Sequence, residues 1–257
     1  MAGNAQLGIG DRLRIAGRLA LLVPWLLLCL AAYAIAKPFS RINPVPRRFL
    51  GGAAWLLGVR WRIEGQPLRR DVLFLSNHLS WLDILTLASA SGTAFVAKAE
   101  LERTPLVGLL ASLNRTIYIE RQSRLGVGEQ VDAVREALAE GRPVTLFPEG
   151  TTGDGAALLP FKTAMLQVLD PPPGAVRVQP VLLDYGPAIR DIAWVGEETG
   201  LDNALRVLAR RGTIPLTIRF LPPFAPGDYP GRKAVAAEAR QRMERASDLR
   251  TAQPVVE

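Results

Sequence analysis

The sequence predicts an α/β fold, in which a mixed, largely parallel sheet is flanked by helices and preceded by an N-terminal membrane-associated helical pair. Two observations predict this arrangement. From residue 60 onward, short runs rich in β-branched and aromatic residues alternate with longer runs of helical periodicity, as is typical of α/β domains. Before residue 60, an eighteen-residue stretch contains no charged side chain. We therefore expect a membrane-associated segment over residues 1–59 and one folded domain over residues 60–257.

The alternation after residue 60 defines the individual elements. Strands are predicted at residues 60–64, 72–76, 93–97, 116–119, 144–147, 176–183 and 216–220. Helices are predicted at residues 81–89, 105–113, 128–140, 161–169, 201–210 and 232–247. Because helices separate most of the strands, most neighbouring strands should run parallel.

The N-terminal apolar region contains two stretches. Residues 19–36 would form a helix about 27 Å long, close to the thickness of about 30 Å of a bilayer's hydrocarbon core. Residues 49–59 are too few to span a membrane, and basic residues flank both stretches. One spanning helix followed by a surface helix, or two helices that dip into one leaflet, would fit this pattern. We favour the dipping pair.

A cleavable signal peptide is a third interpretation of the same region. The tripeptide Ala34-Ile35-Ala36 before Lys37 resembles a cleavage site. However, the apolar stretch is longer than the usual signal-peptide core, and a second apolar stretch follows it. We therefore expect the segment to be retained.

The distribution of charge argues for a lipid surface as partner. Residues 1–70 contain eleven Lys and Arg against two acidic residues, whereas residues 71–257 contain twenty against twenty-two. The excess of positive charge thus accompanies the apolar region, where it favours anionic lipid, and a nucleic-acid partner is not expected. One cysteine and one histidine exclude a disulfide framework and the usual zinc sites. We expect neither a metal nor a cofactor.

The first candidate for chemistry follows the predicted strand 72–76, where the chain continues with Asn77-His78-Leu79-Ser80-Trp81-Leu82-Asp83. Ligands of open α/β sheets bind where such strands end. On a regular helix the side chains of His78 and Asp83 would point about 140° apart. They can meet if His78 lies in a loop and Asp83 in the first helical turn, and Ser80 as an N-cap residue favours that start. A general base with its carboxylate partner and a purely structural helix cap both fit these residues.

A second candidate follows the predicted strand 144–147, with the sequence Pro148-Glu149-Gly150-Thr151-Thr152-Gly153. It brings a carboxylate and several backbone N–H groups to a sheet edge. Because the carboxyl ends of parallel strands meet at one edge, Glu149 should share a crevice with His78 although 71 residues separate them. An ordinary turn is the alternative interpretation.

Over roughly residues 60–225 these motifs together resemble those of the glycerolipid acyltransferases, typified by bacterial 1-acylglycerol-3-phosphate acyltransferase. The segment Asn77-His78-(x)4-Asp83 is similar to the family's catalytic block. By this resemblance His78 would be the general base and Asp83 its partner.

The resemblance also implies the residues that bind the acceptor. Residues 114–121 resemble a second block, whose last residue, here Arg121, contacts the acceptor's phosphate. Residues 147–151 resemble a third block, an acceptor-binding turn that here contains Glu149, Gly150 and Thr151. Lys98 and Lys162 also occupy positions where similar proteins often have lysine.

The activity implied is transfer of a fatty acyl group from acyl-CoA or acyl carrier protein to the free hydroxyl of a lysophospholipid, with 1-acylglycerol-3-phosphate as the first expected acceptor. Such donors would place the acyltransferase domain on the cytoplasmic side of the cell membrane. One departure concerns Thr152, because relatives acting on lysophosphatidic acid usually have arginine there. The run from Glu149 to Gly155 resembles instead a branch that makes ornithine lipids, so a lyso-ornithine lipid is the alternative acceptor.

Two other classes of function fit parts of the pattern. A lipase-like hydrolase would use water in place of the lipid hydroxyl, but no G-x-S-x-G nucleophile motif occurs. A non-catalytic membrane adaptor would not need His78, Asp83 and Glu149 together. Since Cys29 lies in the apolar segment, we expect direct transfer between two bound substrates and no acyl-enzyme.

Overall fold

The centre of the molecule is a seven-stranded sheet. The computed structural model describes residues 7–39, 43–104, 107–119 and 126–251. Within these ranges the strands are β1 (Val59–Glu64), β2 (Val72–Ser76), β3 (Ala94–Lys98), β4 (Ile117–Ile119), β5 (Val144–Leu146), β6 (Arg177–Asp184) and β7 (Ile214–Phe220). Their order is β1-β7-β6-β2-β5-β3-β4, and every neighbouring pair is parallel except β6 and β7. The predicted mixed, largely parallel sheet is confirmed.

Helices cover both faces of this sheet. The described α-helices are α1 (Ile9–Ala36), α2 (Val45–Leu56), α3 (Leu82–Ser91), α4 (Val107–Leu113), α5 (Gly126–Ala139), α6 (Ile189–Ile192), α7 (Gly200–Ala209) and α8 (Gly231–Thr251). Short 3-10 helices lie at Ala99–Leu101, Met165–Leu169, Gly186–Ala188 and Pro226–Asp228. All seven predicted strands occur within two residues of their expected limits.

The prediction of a helix over residues 161–169 was wrong in its first half. Only Met165–Leu169 is helical, as a 3-10 turn. The N–H of Lys162 donates to the carbonyl of Pro148 at 2.7 Å, so this segment is bound to the turn after β5. A tertiary contact therefore replaces the local helical hydrogen bond that the sequence pattern favoured.

The central strand β2 separates two hydrophobic cores. Val72 and Phe74 pack on one side with residues of α2, α3 and α7. Leu73 and Leu75 pack on the other side with residues of α5 and α8. Side chains alternate between the faces of a strand, so a strand buried on both faces is apolar throughout. This burial fixes the position of β2 in the sheet. It therefore also fixes where the residues after β2 leave the carboxyl edge.

The predicted N-terminal helical pair is present, and its second helix belongs to the main core. Gly51 and Gly52 allow α2 to approach its neighbours closely: a Cβ on Gly51 would lie 2.3 Å from the Ser89 hydroxyl of α3, and one on Gly52 would lie 2.4 Å from the Trp25 ring of α1. Leu50 and Ala54 of α2 pack in the same cluster as the sheet. The structure thus places α2 between α1 and the folded domain.

Helix α1 is much more exposed than α2. Among the described residues it is the one helix that is long and apolar enough to cross a membrane, and only 6% of its most apolar window is buried. At 1.5 Å per residue its 28 residues extend about 42 Å. It begins ten residues before the predicted apolar stretch, because Asp11 accepts a hydrogen bond from the Gly8 N–H and closes the first turn.

Part of the N-terminal positive charge has a structural use. The Arg18 guanidinium donates to the carbonyls of Val207 and Leu208 at 2.8 and 2.7 Å, at the end of α7. Arg47 likewise donates to the carbonyls of Ser89 and Ala90 at the end of α3. Cations stabilise helix C-termini because the last carbonyls lack helical partners. These arginines therefore hold the helical pair against the domain in addition to any effect on lipid.

Candidate active site

The site is built on two connections, which leave neighbouring parallel strands at the carboxyl edge of the sheet. We call residues 77–81, after β2, the histidine loop and residues 148–153, after β5, the glutamate turn. The buried Asn77 amide starts the histidine loop: it donates to the Leu183 carbonyl at 3.0 Å and accepts from the Leu183 N–H at 2.8 Å. This pair of hydrogen bonds to β6 fixes where the next residue, His78, leaves the sheet.

The predicted contact between His78 and Asp83 is present. The Nδ1 atom of His78 lies 2.9 Å from Oδ2 of Asp83, which is fully buried. Helix α3 begins at Leu82, so Asp83 lies in its first turn. The same oxygen accepts the backbone N–H groups of Leu79 and Ser80 at 2.6 and 2.9 Å. One carboxylate therefore both orders the loop and orients the ring.

The expected capping box is only half formed. Asp83 accepts from the Ser80 N–H, as a capping acid does. The Ser80 hydroxyl, however, lies 3.4 Å from the Leu82 N–H and does not cap the Asp83 N–H. The helix starts one residue later than predicted, and Asp83 replaces the serine as the main side-chain acceptor at this end.

The His78 ring is held on its flat face as well as at its edge. It stacks on Phe147 with a centroid distance of 4.0 Å and an angle of 14°, and Phe95 stacks behind Phe147 at 5.8 Å. The side chain keeps 18% of its surface exposed. With Nδ1 directed at Asp83, we assign the Nδ1–H tautomer, and Nε2 is the nitrogen able to accept a proton.

Tyr185 is a site residue that the sequence analysis missed. It follows β6 directly and is 1% exposed, and its hydroxyl donates to Oδ1 of Asp83 at 2.7 Å. Burial, and then the charge of Asp83, raise the pKa of Tyr185 well above its usual value. A search for polar residues after every strand, in place of motifs alone, would have found it.

Glu149 lies in the glutamate turn and faces the histidine loop, as its position after a parallel strand predicted. Its two oxygens accept the N–H groups of His78 and Leu159, both at 3.3 Å. The Gly153 N–H donates to the carbonyl of His78 at 2.8 Å and binds the two connections together. Burial raises the pKa of Glu149 to about 7, while the two backbone bonds oppose that shift.

The remaining residues of the glutamate turn differ in exposure. Gly150 has a φ of 72°, and a Cβ there would lie 2.9 Å from Nζ of Lys162. Lys162 thus lies across the turn, and Thr151 is exposed beside it. The Thr152 hydroxyl is directed inward and donates to the carbonyl of Trp194. The structure therefore brings one cation close to this turn and uses Thr152 internally.

Two predicted cations have no described side chain. Arg121 lies outside the described residues, and for Lys98, at the end of β3, only the backbone is described. Asn114, which opens the block that ends with Arg121, donates from its amide to the Thr93 carbonyl at 3.2 Å. The proposed contact of Arg121 with an acceptor thus remains a prediction.

A cavity of about 120 Å³ lies beside the histidine loop. Its lining includes Asn77, Glu149 and Tyr185 from the site, with residues 155–158 closing another side. Asp184 and Arg219 also line it, so the wall carries groups of both charges. Apolar residues make up much of the remaining lining, so the wall is partly polar and partly apolar.

The fold and the site together define a class of enzyme. A histidine fixed by a buried carboxylate, at the carboxyl edge of a largely parallel sheet, is an arrangement that can remove a proton from a bound hydroxyl. The comparisons with known proteins agree with this class. A protein-family model described as Acyltransferase matches residues 60–183, which contain both the histidine loop and the glutamate turn.

Relatives show the family over most of the chain. A lyso-ornithine lipid O-acyltransferase of Rhizobium meliloti is 34% identical over 91% of this chain and 85% of its own length. One of Rhodobacter capsulatus is 31% identical over 92% and 88%. A 1-acyl-sn-glycerol-3-phosphate acyltransferase of Neisseria gonorrhoeae is 40% identical, but over 37% of this chain and 38% of its own. The chain belongs to the acyltransferase family.

A solved structure agrees in fold. The 1-acyl-sn-glycerophosphate (LPA) acyltransferase PlsC from Thermotoga maritima superposes with a TM-score of 0.66 over 93% of this chain and 99% of that one. Because the two sequences are 19% identical, this match bears on architecture alone. It supports the same α/β arrangement with an N-terminal helical region.

Proposed function

We propose that this protein transfers a fatty acyl group from a thioester to the free hydroxyl of a lysolipid, with His78 as general base. The observation that carries the proposal is the fixed ring of His78, oriented by Asp83 at 2.9 Å and by Phe147 at 4.0 Å. Because the ring is fixed in one rotamer, Nε2 is already oriented to accept a proton from a bound hydroxyl. A positioned base of this kind contributes about 10²- to 10⁴-fold to the rate.

The proposed reaction has two steps. The acceptor hydroxyl gives its proton to Nε2 of His78 as its oxygen attacks the thioester carbon, and Asp83 stabilises the imidazolium that forms. The tetrahedral intermediate then expels the thiolate, which takes the proton back from Nε2. The C–O ester bond replaces the C–S bond, and the enzyme returns to its first state. Backbone N–H groups near the glutamate turn are candidates to stabilise the oxyanion.

Lyso-ornithine lipid is the acceptor that we propose first, with 1-acylglycerol-3-phosphate as the second candidate. Among the sequence relatives, those matched over about nine-tenths of the chain carry the first name, whereas the relative with the second name is matched over 37%. Thr152 donates inward to Trp194, at the position where relatives of the second kind usually have an arginine.

The donor and the membrane are further parts of the proposal. We expect acyl-CoA or acyl carrier protein as donor, with no other cofactor, and hence a site that faces the cytoplasm. We also propose that α1 lies in the membrane, because Leu21, Leu27 and Leu28 are exposed by 57% to 62%. A helix that exposes several large apolar side chains is more stable in lipid than in water.

An acylation assay tests the reaction class. The purified full-length protein receives labelled acyl-CoA, or labelled acyl carrier protein, with lyso-ornithine lipid, 1-acylglycerol-3-phosphate or no acceptor. The proposal expects labelled diacyl product that depends on the acceptor, and no product from His78→Ala. Free fatty acid as the main product would show a hydrolase instead. A protein that binds the lysolipid but forms no product with either donor would be a lipid-binding protein and not an enzyme.

A flotation assay tests the membrane proposal separately. Leu27→Lys with Leu28→Lys places two charges on the exposed face of α1, at a cost of about 3 kcal/mol each at the centre of a bilayer. The variant should remain with the soluble fraction when vesicles float, while the parent floats. Leu201→Lys, at an exposed leucine of α7, is the matched control and should float. A double variant that floats like the parent would show that another surface holds the protein.

A further inference from the structure

Asp83 uses its two oxygens for different purposes. Oδ2 accepts three donors of the histidine loop, including Nδ1 of His78 at 2.9 Å. Oδ1 accepts the Tyr185 hydroxyl at 2.7 Å. A carboxylate bound at one oxygen only can pivot about its Cβ–Cγ bond. Tyr185 removes this freedom from the opposite side, so that Oδ2 stays directed at the ring.

The surroundings make this hydroxyl a permanent donor. Tyr185 is almost completely buried, and its position after β6 is anchored by the bonds between Leu183 and Asn77. Burial and the neighbouring Asp83 charge raise the pKa of Tyr185, which therefore keeps its proton across the pH range of an assay. A donor that is always present also withdraws negative charge from the carboxylate that faces His78.

We propose that Tyr185 is a positioning residue for acyl transfer, because its hydroxyl fixes the orientation and moderates the charge of the Asp83 carboxylate that holds His78. This inference rests on the proposed role of His78 as base. Tyr185 acts through Asp83 and is not expected to touch either substrate. Its loss should therefore lower kcat and alter the titration of His78, while the KM for the lysolipid stays nearly unchanged.

The direction of the change in titration follows from the groups that face His78. Asp83 approaches the ring from α3, Glu149 approaches its backbone from the glutamate turn, and Lys162 lies across that turn. Tyr185→Phe leaves these three groups in place and removes one donor from Asp83. More negative charge then faces the ring, which favours the imidazolium. The titration midpoint of His78 should therefore be higher in Tyr185→Phe than in the parent.

The test uses the only histidine of the chain. Full-length Tyr185→Phe, labelled with ¹⁵N-histidine and purified through a tag without histidine, is titrated by NMR in detergent. Tyr229→Phe, which removes another partly buried hydroxyl far along the chain, is the matched control. We expect the His78 midpoint and the acidic limb of kcat/KM to move upward together in Tyr185→Phe only, with kcat about tenfold lower. Unchanged midpoints in both variants would overturn the proposal, even if activity fell.

A double-mutant cycle shows whether Tyr185 acts through Asp83. If it does, Tyr185→Phe should change kcat less than about twofold when Asp83→Asn is already present, because the carboxylate that it orients is gone. If Tyr185→Phe lowered kcat equally with and without Asp83→Asn, Tyr185 would not act through Asp83. Since the NMR titration needs no turnover, it also separates this inference from the proposed function. A protein without transferase activity would refute the latter and still report whether Tyr185 controls the ring.

Discussion

The histidine loop and the glutamate turn follow neighbouring parallel strands, yet they use their polar groups in different ways. The histidine loop directs its donors at one carboxylate outside the loop: two of its N–H groups and Nδ1 of His78 lie within 2.6 to 2.9 Å of Oδ2 of Asp83. The glutamate turn bonds to the backbone of its neighbours: Glu149 accepts the His78 N–H, the Gly153 N–H donates to the His78 carbonyl, and the Thr152 hydroxyl donates to the Trp194 carbonyl. One connection presents a reactive group, and the other supports it.

A motif that resembles a substrate-binding block can therefore contain a side chain that is bound to the protein's own backbone. The sequence alone predicted a substrate contact for both connections. In the structure Glu149 is 3% exposed, with both oxygens bound to backbone. A role of Glu149, Gly150 and Thr151 in binding the acceptor remains a prediction, and the contacts of Glu149 favour an indirect role for that residue. Substitutions in the histidine loop should therefore affect turnover more than substitutions in the glutamate turn.

The largest effect is expected from His78→Ala. Removal of the base should lower kcat/KM for lysolipid acylation by about 10³-fold or more, and the variant should still fold, because the ring is partly exposed and packs mainly on Phe147. Initial rates and the melting temperature are measured side by side. A variant that retains a tenth of the parent's turnover would remove His78 from the mechanism.

Asp83→Asn should have the next largest effect on turnover, a loss of about 10²-fold, at the lower end of what a positioned base contributes. It should also destabilise the protein, because an amide cannot accept all the donors that surround this buried carboxylate, and each unmet group costs about 1–3 kcal/mol. Denaturant unfolding and kinetics are compared with those of Asp191→Asn, an exposed aspartate paired with Arg210. Similar stability and activity in the two variants would show that Asp83 is not the organising group of the histidine loop.

Glu149→Gln should change how the stability of the protein depends on pH. Burial raises the pKa of Glu149 to about 7, whereas an unfolded glutamate titrates near about 4.3. Between these values the folded state holds a proton that the unfolded state has lost, so the free energy of unfolding falls as pH rises, by up to about 4 kcal/mol. The variant lacks this titration, so the melting temperature of the parent relative to the variant should fall between about pH 5 and pH 8.

The control for that prediction is Glu197→Gln, at an exposed glutamate, which should follow the parent at every pH. The Glu149→Gln variant would also lose one of the two backbone bonds, but that loss shifts the whole curve and leaves its slope with pH unchanged. Parallel curves for the parent and Glu149→Gln would contradict the burial account of this carboxyl.

Thr152→Arg should have the smallest effect and concerns the choice of acceptor. A cation added beside the glutamate turn should improve kcat/KM for 1-acylglycerol-3-phosphate relative to lyso-ornithine lipid by about tenfold, or about 1.4 kcal/mol. Thr152→Val, which removes the bond to Trp194 without adding charge, separates loss of the bond from gain of the cation. An equal shift of preference in both variants would show that the bond, and not the charge, sets the preference.

Features that depend on local spacing could be predicted from the sequence. The strand β2 and the contact between His78 and Asp83 follow from a buried apolar run and from a helix that must start between the two residues. Tyr185 could not be placed in the same way, because its contact with Asp83 spans 102 residues and depends on β6 lying beside β2. Strand order is set by tertiary packing, which no local pattern contains.

The helical pair shows the same limit. The apolar stretch predicted a helix, but the pairing of Arg18 with the last carbonyls of α7 links positions 189 and 190 residues apart. Charge counts alone assigned that arginine to a lipid surface. The close approach of Gly51 and Gly52 to their neighbours likewise depends on which helices meet.

The proposed reaction requires that His78 accept the proton of the acceptor hydroxyl, so the titration of His78 is the decisive measurement. Because the chain contains one histidine, NMR of ¹⁵N-histidine-labelled protein gives its midpoint without ambiguity. The same preparation supplies the pH profile of kcat/KM for lysolipid acylation, which reports the free enzyme's essential base. If His78 is the base, the acidic limb of this profile should coincide with the His78 midpoint. A rate that stays constant while His78 titrates would contradict this role.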